Sequence, residues 1–125
     1  MRTIFFVLIL LYSSTFCTAQ PVSFITFGDW GREGKYGQQE TADVMGKYAE
    51  ANNTDFILVL GDNFYPTGVK DVNDPHWKIS FEDVYTASSL QIPWFVTLGN
   101  HDYGGNVQAQ IDYSALSSRW NLPAR

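Results

Sequence analysis

Three short apolar runs, each halted by a glycine, set the limits on what this chain can fold into. Residues 22–27 stop at Gly28, residues 56–60 at Gly61 and residues 94–98 at Gly99. Runs that are apolar at nearly every position and rich in β-branched and aromatic types suit strands covered on both faces, as in a parallel sheet. Two segments with helical spacing lie between them. Residues 38–51 carry Ala42, Met45 and Ala49 on one stripe, with Val44 and Tyr48 beside it. In the second, Asp74 is placed to cap, Pro75 to open the helix, and Trp77, Phe81, Val84 and Tyr85 form an apolar face. Strand–helix–strand–helix–strand predicts an α/β fold of βαβαβ order, with right-handed crossovers. The connection over residues 62–73 is long for a βα loop, which marks it as functional. The tail, residues 106–125, shows a partly helical pattern of Ile111, Leu116 and Trp120 and no closing strand.

Length and charge exclude several classes. A chain of 125 residues is one domain or a piece of one. With 8 Lys+Arg against 13 Asp+Glu, a net charge of -5 and no basic run, nucleic acid is not an expected partner. Residues 1–19 read as a secretory signal peptide: Arg2 supplies the positive start, residues 4–12 the apolar stretch, and Cys17-Thr18-Ala19 the small residues of a cleavage site. That stretch is too short for a stable membrane anchor. Residues 20–125 are then expected to be an exported polypeptide: secreted, lysosomal or periplasmic. The lone Cys17 excludes a disulfide or a thiolate metal cluster within this chain.

Each strand run ends in glycine followed at once by an oxygen donor. The three clusters are Gly28-Asp29-Trp30-Gly31, Gly61-Asp62-Asn63-Phe64-Tyr65 and Gly99-Asn100-His101-Asp102. Ligands of open α/β sheets gather outside the carboxyl ends of the strands, so the clusters are expected to converge. A glycine before each donor lets the backbone turn sharply. Carboxylate, phenol and amide oxygens are hard ligands, suited to Fe(III), Mn(II) or Mg(II). Any one cluster alone is an ordinary turn signal, and a tyrosine alone is more often a packed ring than a ligand. Their recurrence at successive strand ends is what points to a site.

In order and spacing, these clusters resemble the first three of five signature blocks of the purple acid phosphatases, most closely the small, tartrate-resistant type. Those enzymes belong to the calcineurin-like metallophosphoesterases, whose fold is an αββα sandwich. The resemblance runs from Val22 to the end of the chain. Gly31 stands where the wider superfamily carries a histidine, and Tyr65 is a feature of this branch. The resemblance implies that Asp29 and Tyr65 ligate Fe(III) and that Asp62 bridges it to a divalent Fe, Zn or Mn. It places Asn100 on the second metal and His101 beside the phosphate and its leaving group. A phenolate on Fe(III) would account for a purple colour, and a hydroxide held on the metals would attack the phosphate monoester. Asp102 is placed either to orient the imidazole of His101 or to cap the turn.

The family pattern also expects three further histidine ligands from two later blocks. This chain has 2 histidines, and His76, on a helix flank, reads as structural. The expectation is therefore an N-terminal portion of a metallophosphoesterase domain over residues 20–125, incomplete in this chain and inactive and poorly folded alone, with the missing half supplying the three histidines. Two alternatives stand beside the secreted acid phosphatase. One is a metallophosphodiesterase of the same superfamily, and the other a noncatalytic secreted protein that keeps half of a degenerate site.

Overall fold

A computed structural model of the protein describes residues 20–123. The leader reading of residues 1–19, with Cys17, falls outside the described residues. The apolar runs form strands β1 (Phe24–Phe27), β2 (Phe56–Val59) and β3 (Trp94–Val96), all parallel as expected. The tail corrects the reading that no strand closes it. Trp120–Asn121 forms β4, paired parallel to β3 with Trp120 opposite Trp94. Two residues are too few to show the alternation by which a strand is recognised in a sequence. The sheet order is β1-β2-β3-β4.

Successive right-handed crossovers between strands laid down in sequence order all pass over the same face of the sheet. Burial follows that rule. Ile57, Val59, Trp94, Val96 and Trp120, which the register places on one face, are buried. The opposite face carries Phe24 and Phe95, 49% and 46% exposed, with Phe56 stacked on Phe24 at 5.3 Å and edge-on to Phe95 at 5.5 Å. Among the described residues one face of the sheet is bare, as expected of a domain that is incomplete in this chain. The apolar run of each strand is real, but half of it waits on a layer that residues 20–123 do not provide.

Helix α1 (Gln38–Asn52) buries Ala42, Met45 and Ala49 as predicted, while Val44 and Tyr48 stay exposed. Asp74 caps the second helix by accepting from the His76 N–H at 2.9 Å, and Pro75 opens it. This helix, α2 (Pro75–Trp77), passes at once into a π-helical turn, Lys78–Glu82. Trp77, Phe81 and Tyr85 are spaced by four, which drifts around a 3.6-residue helix, and one wide turn absorbs the drift. All three are buried, packed with Trp30, Phe64, Trp94 and Trp120 in an aromatic core. At the strands' far end Arg119, just before β4, pairs with Glu82 and donates to the Tyr85 carbonyl at 2.8 Å. A last short helix, α3 (Val107–Asp112), carries Gln110 into the interior.

Candidate metal centre

The site lies beyond the carboxyl ends of β1, β2 and β3, where the pairing of β1 with β2 continues into the loops. Asp29 N–H donates to the Gly61 carbonyl at 3.1 Å, Trp30 N–H to that of Asp62 at 3.2 Å, and Tyr65 N–H to that of Gly31 at 2.9 Å. Gly31 bridges to Phe64 so closely that a Cβ at Gly31 would lie 1.9 Å from the Asn63 carbonyl oxygen. No side chain fits there, histidine included, so the glycine and the position of the Asp62 loop go together. Gly31→Ala is expected to lower stability by about 3 kcal/mol through overpacking against backbone, read as a fall in the urea midpoint. An unchanged midpoint would mean that the two loops are not held as described.

The expected role of the glycines holds at Gly61, which takes a φ of 97, and left-handed backbone falls also on the donors themselves, Asp29 at φ 61 and Asp62 at φ 51. Gly99 contributes room instead: a Cβ on it would come within 2.1 Å of Asp62 Oδ1.

Three of the predicted donors meet. Tyr65 Oη lies 2.6 Å from Asp29 Oδ1 and 3.1 Å from Asp62 Oδ2. One hydroxyl proton is all that separates three oxygens, two of them carboxylate. Burial, and then the two carboxylates, push the Tyr65 phenol above its ordinary value. A hard cation set among these oxygens would take the place of that proton and be met by anionic donors, so the residues present fit one metal ion. Among the described residues no three of His, Cys, Asp and Glu come together, because the third donor here is a phenol.

His101 joins the group through backbone and ring. Its N–H donates to Asp62 Oδ1 at 2.9 Å, and its ring sits 4.4 Å from that of Tyr65, centroid to centroid. Nδ1 lies 2.6 Å from the Pro66 carbonyl, which can only accept, so Nδ1 carries a proton and Nε2 is the nitrogen left for exchange. Asn100 precedes it, exposed, and among the described residues no hydrogen bond joins its amide to the three oxygens. His76 stays apart, with Nδ1 3.2 Å from Ser80 Oγ and the ring edge-on to Phe64.

Asp102 does not orient the imidazole. Its carboxylate is fully buried and accepts from the N–H groups of Asn63 at 3.0 Å, Phe64 at 3.3 Å and Gly99 at 2.9 Å, and from Gln110 Nε2 at 3.0 Å. It ties the loop after β2 to the loop after β3. Asn63, also fully buried, extends the tie through Nδ2 to the Thr97 carbonyl at 2.9 Å. Arg32 is a further member that sequence reasoning missed, its guanidinium 3.6 Å from the centroid of the Tyr65 ring. No motif announces it.

The family described as calcineurin-like phosphoesterase matches residues 22–124. Purple acid phosphatase 3 of Arabidopsis thaliana is 45% identical over 127 residues, covering 90% of this chain and 35% of the relative. Tartrate-resistant acid phosphatase type 5 of Homo sapiens is 48% identical over 108 residues, covering 81% of this chain and 33% of the relative. Among solved structures, GAP50, the anchor in the inner membrane complex of Plasmodium, superposes with a TM-score of 0.72 at 33% identity, over 82% of this chain and 34% of that one. The chain spans about a third of the length of the relatives it matches.

Proposed function

The chain belongs to the calcineurin-like phosphoesterase family, and on that premise we propose that it builds the first part of the two-metal site of an exported acid phosphatase acting on phosphate monoesters. The convergence of Asp29, Asp62 and Tyr65 within 2.6 and 3.1 Å carries this reading, supported by relatives named as acid phosphatases. In it Asp29 and Tyr65 would hold Fe(III), Asp62 would be shared with a divalent Fe, Zn or Mn, and Asn100 would serve that second ion. The remaining histidine ligands come from outside residues 20–123, and those residues alone are inactive.

The metal pair, when bound, supplies Lewis acidity toward the ester oxygens and a nucleophile available in acid. The chain's own residues do the rest. The Asp102 tie fixes the backbone of Asn63 and Gly99, and so the attitude of Asp62 and His101. His101, its Nδ1 committed to Pro66, offers Nε2 to the leaving-group oxygen and delivers a proton there.

The test is hydrolysis of p-nitrophenyl phosphate by the protein expressed from its complete coding sequence. We expect monoester turnover, and a fall in kcat of about 100-fold or more in His101→Ala. Preference for bis(p-nitrophenyl) phosphate would establish the phosphodiesterase instead. The noncatalytic alternative would keep the same three oxygens of Asp29, Asp62 and Tyr65 without turnover. That reading predicts no iron in the purified protein and no hydrolysis of either ester.

A further inference from the structure

Among the described residues, a cation already sits against the proposed centre: the guanidinium of Arg32, 3.6 Å from the centroid of the Tyr65 ring. At that distance the charge lies over the ring face, where the π electrons are richest. The contact is built into the loop. Arg32 N–H donates to Gln38 Oε1 at 2.9 Å, as does the Gly34 N–H at 2.8 Å, while Gln38 Nε2 donates to the Ser80 carbonyl at 2.7 Å. Gln38 is buried at the start of α1, so the first helix sets the backbone from which Arg32 reaches over the tyrosine. Glu33, the next acidic residue, is engaged by Lys35 at 2.6 Å and lies 3.8 Å from His76 Nε2, which leaves Arg32 to the ring.

A fixed positive charge over a phenol does something no neutral neighbour can. It lowers the energy of the filled ring orbitals and so weakens the donation of that oxygen to whatever cation it meets. Arginine cannot lose its charge in a protein, so the effect is constant across pH. We propose that Arg32 is a positioning and tuning residue for Tyr65, setting how strongly the phenolate donates to a bound trivalent metal. This rests on the metal reading above.

Two directions follow from the sign of the charge. Removing it raises the ring orbitals, so the phenolate-to-iron charge-transfer band moves to longer wavelength. It also takes away a charge that favours the reduced, less positive metal, so the midpoint potential falls.

The experiment compares wild type, Arg32→Met and Arg32→Lys, each expressed from the complete coding sequence and loaded with Fe(III), by visible absorption and by redox titration. Methionine keeps much of the stem without the charge, and lysine keeps the charge without the planar stack. The expected result is a band shifted to longer wavelength and a lower potential in Arg32→Met, with Arg32→Lys between it and wild type. A wild-type band that keeps its position and potential in Arg32→Met, whatever happens to iron content, overturns the tuning role and leaves the metal site standing. A wild type that takes up no iron and shows no band overturns the metal reading, and this inference with it.

Discussion

Asp102→Ala is expected to lower stability by about 4 kcal/mol. The carboxylate is buried and is the acceptor for three backbone N–H groups, those of Asn63, Phe64 and Gly99. Each buried donor left without a partner costs about 1–3 kcal/mol, and methyl cannot replace any of them. Asp102→Asn is the sharper test. An amide presents one oxygen and one NH2 group, so one side of the side chain would turn a donor toward backbone donors. It is expected to recover part of the loss and no more. Urea unfolding of the protein expressed from its complete coding sequence reads both. A loss below 1 kcal/mol in the alanine variant would mean that these N–H groups have other partners and that the two loops are held independently.

The second large effect is expected at the opposite end of the strands. Arg119 is 5% exposed at its side chain and pairs with Glu82, which also accepts from Tyr113 Oη at 3.1 Å and Ser117 Oγ at 3.0 Å. The guanidinium lies 4.3 Å from the centroid of the Phe81 ring. Glu82→Leu leaves a buried cation with one carbonyl and ring faces for company, at a cost of about 3–4 kcal/mol. Replacing both, Glu82→Leu with Arg119→Met, is expected to cost less than the single change, because a buried pair can be exchanged for apolar groups with little loss. A double-mutant cycle checks it. If the two single losses simply add, the pair is not coupled and something other than Glu82 holds Arg119.

The fold was largely legible because its strongest signals were periodic. The three apolar runs, the Asp74–Pro75 start and the stripe from Trp77 to Tyr85 are all local patterns with a physical cause. What failed to show was of another kind. The two-residue β4 carries no pattern, and the bare sheet face cannot be told from a covered one by composition, since Phe24, Phe56 and Phe95 read as core residues. At the proposed site, Asp29, Asp62, Tyr65 and His101, which follow strands in recurring blocks, lie together, while Asn100 from the same blocks makes no hydrogen bond to them. Asp102, Asn63 and Gln110 look like turn and surface residues in the sequence. Their network exists only once α3 and two loops are folded together. Arg32 depends on a ring 33 positions away, a pairing no single-chain pattern encodes.

Backbone strain gathers at Asp29 and Asp62, both left-handed. Residues other than glycine are held there at a cost of the order of 1 kcal/mol each, and glycine would relieve it. At these two positions stability and chemistry pull in opposite directions. Glycine at Asp29 would lose only the contact with the Tyr65 hydroxyl, whereas glycine at Asp62 would also leave the His101 N–H without its acceptor. The strained backbone thus falls on the two carboxylates that meet at the Tyr65 hydroxyl, so the fold concentrates its conformational cost at the proposed centre.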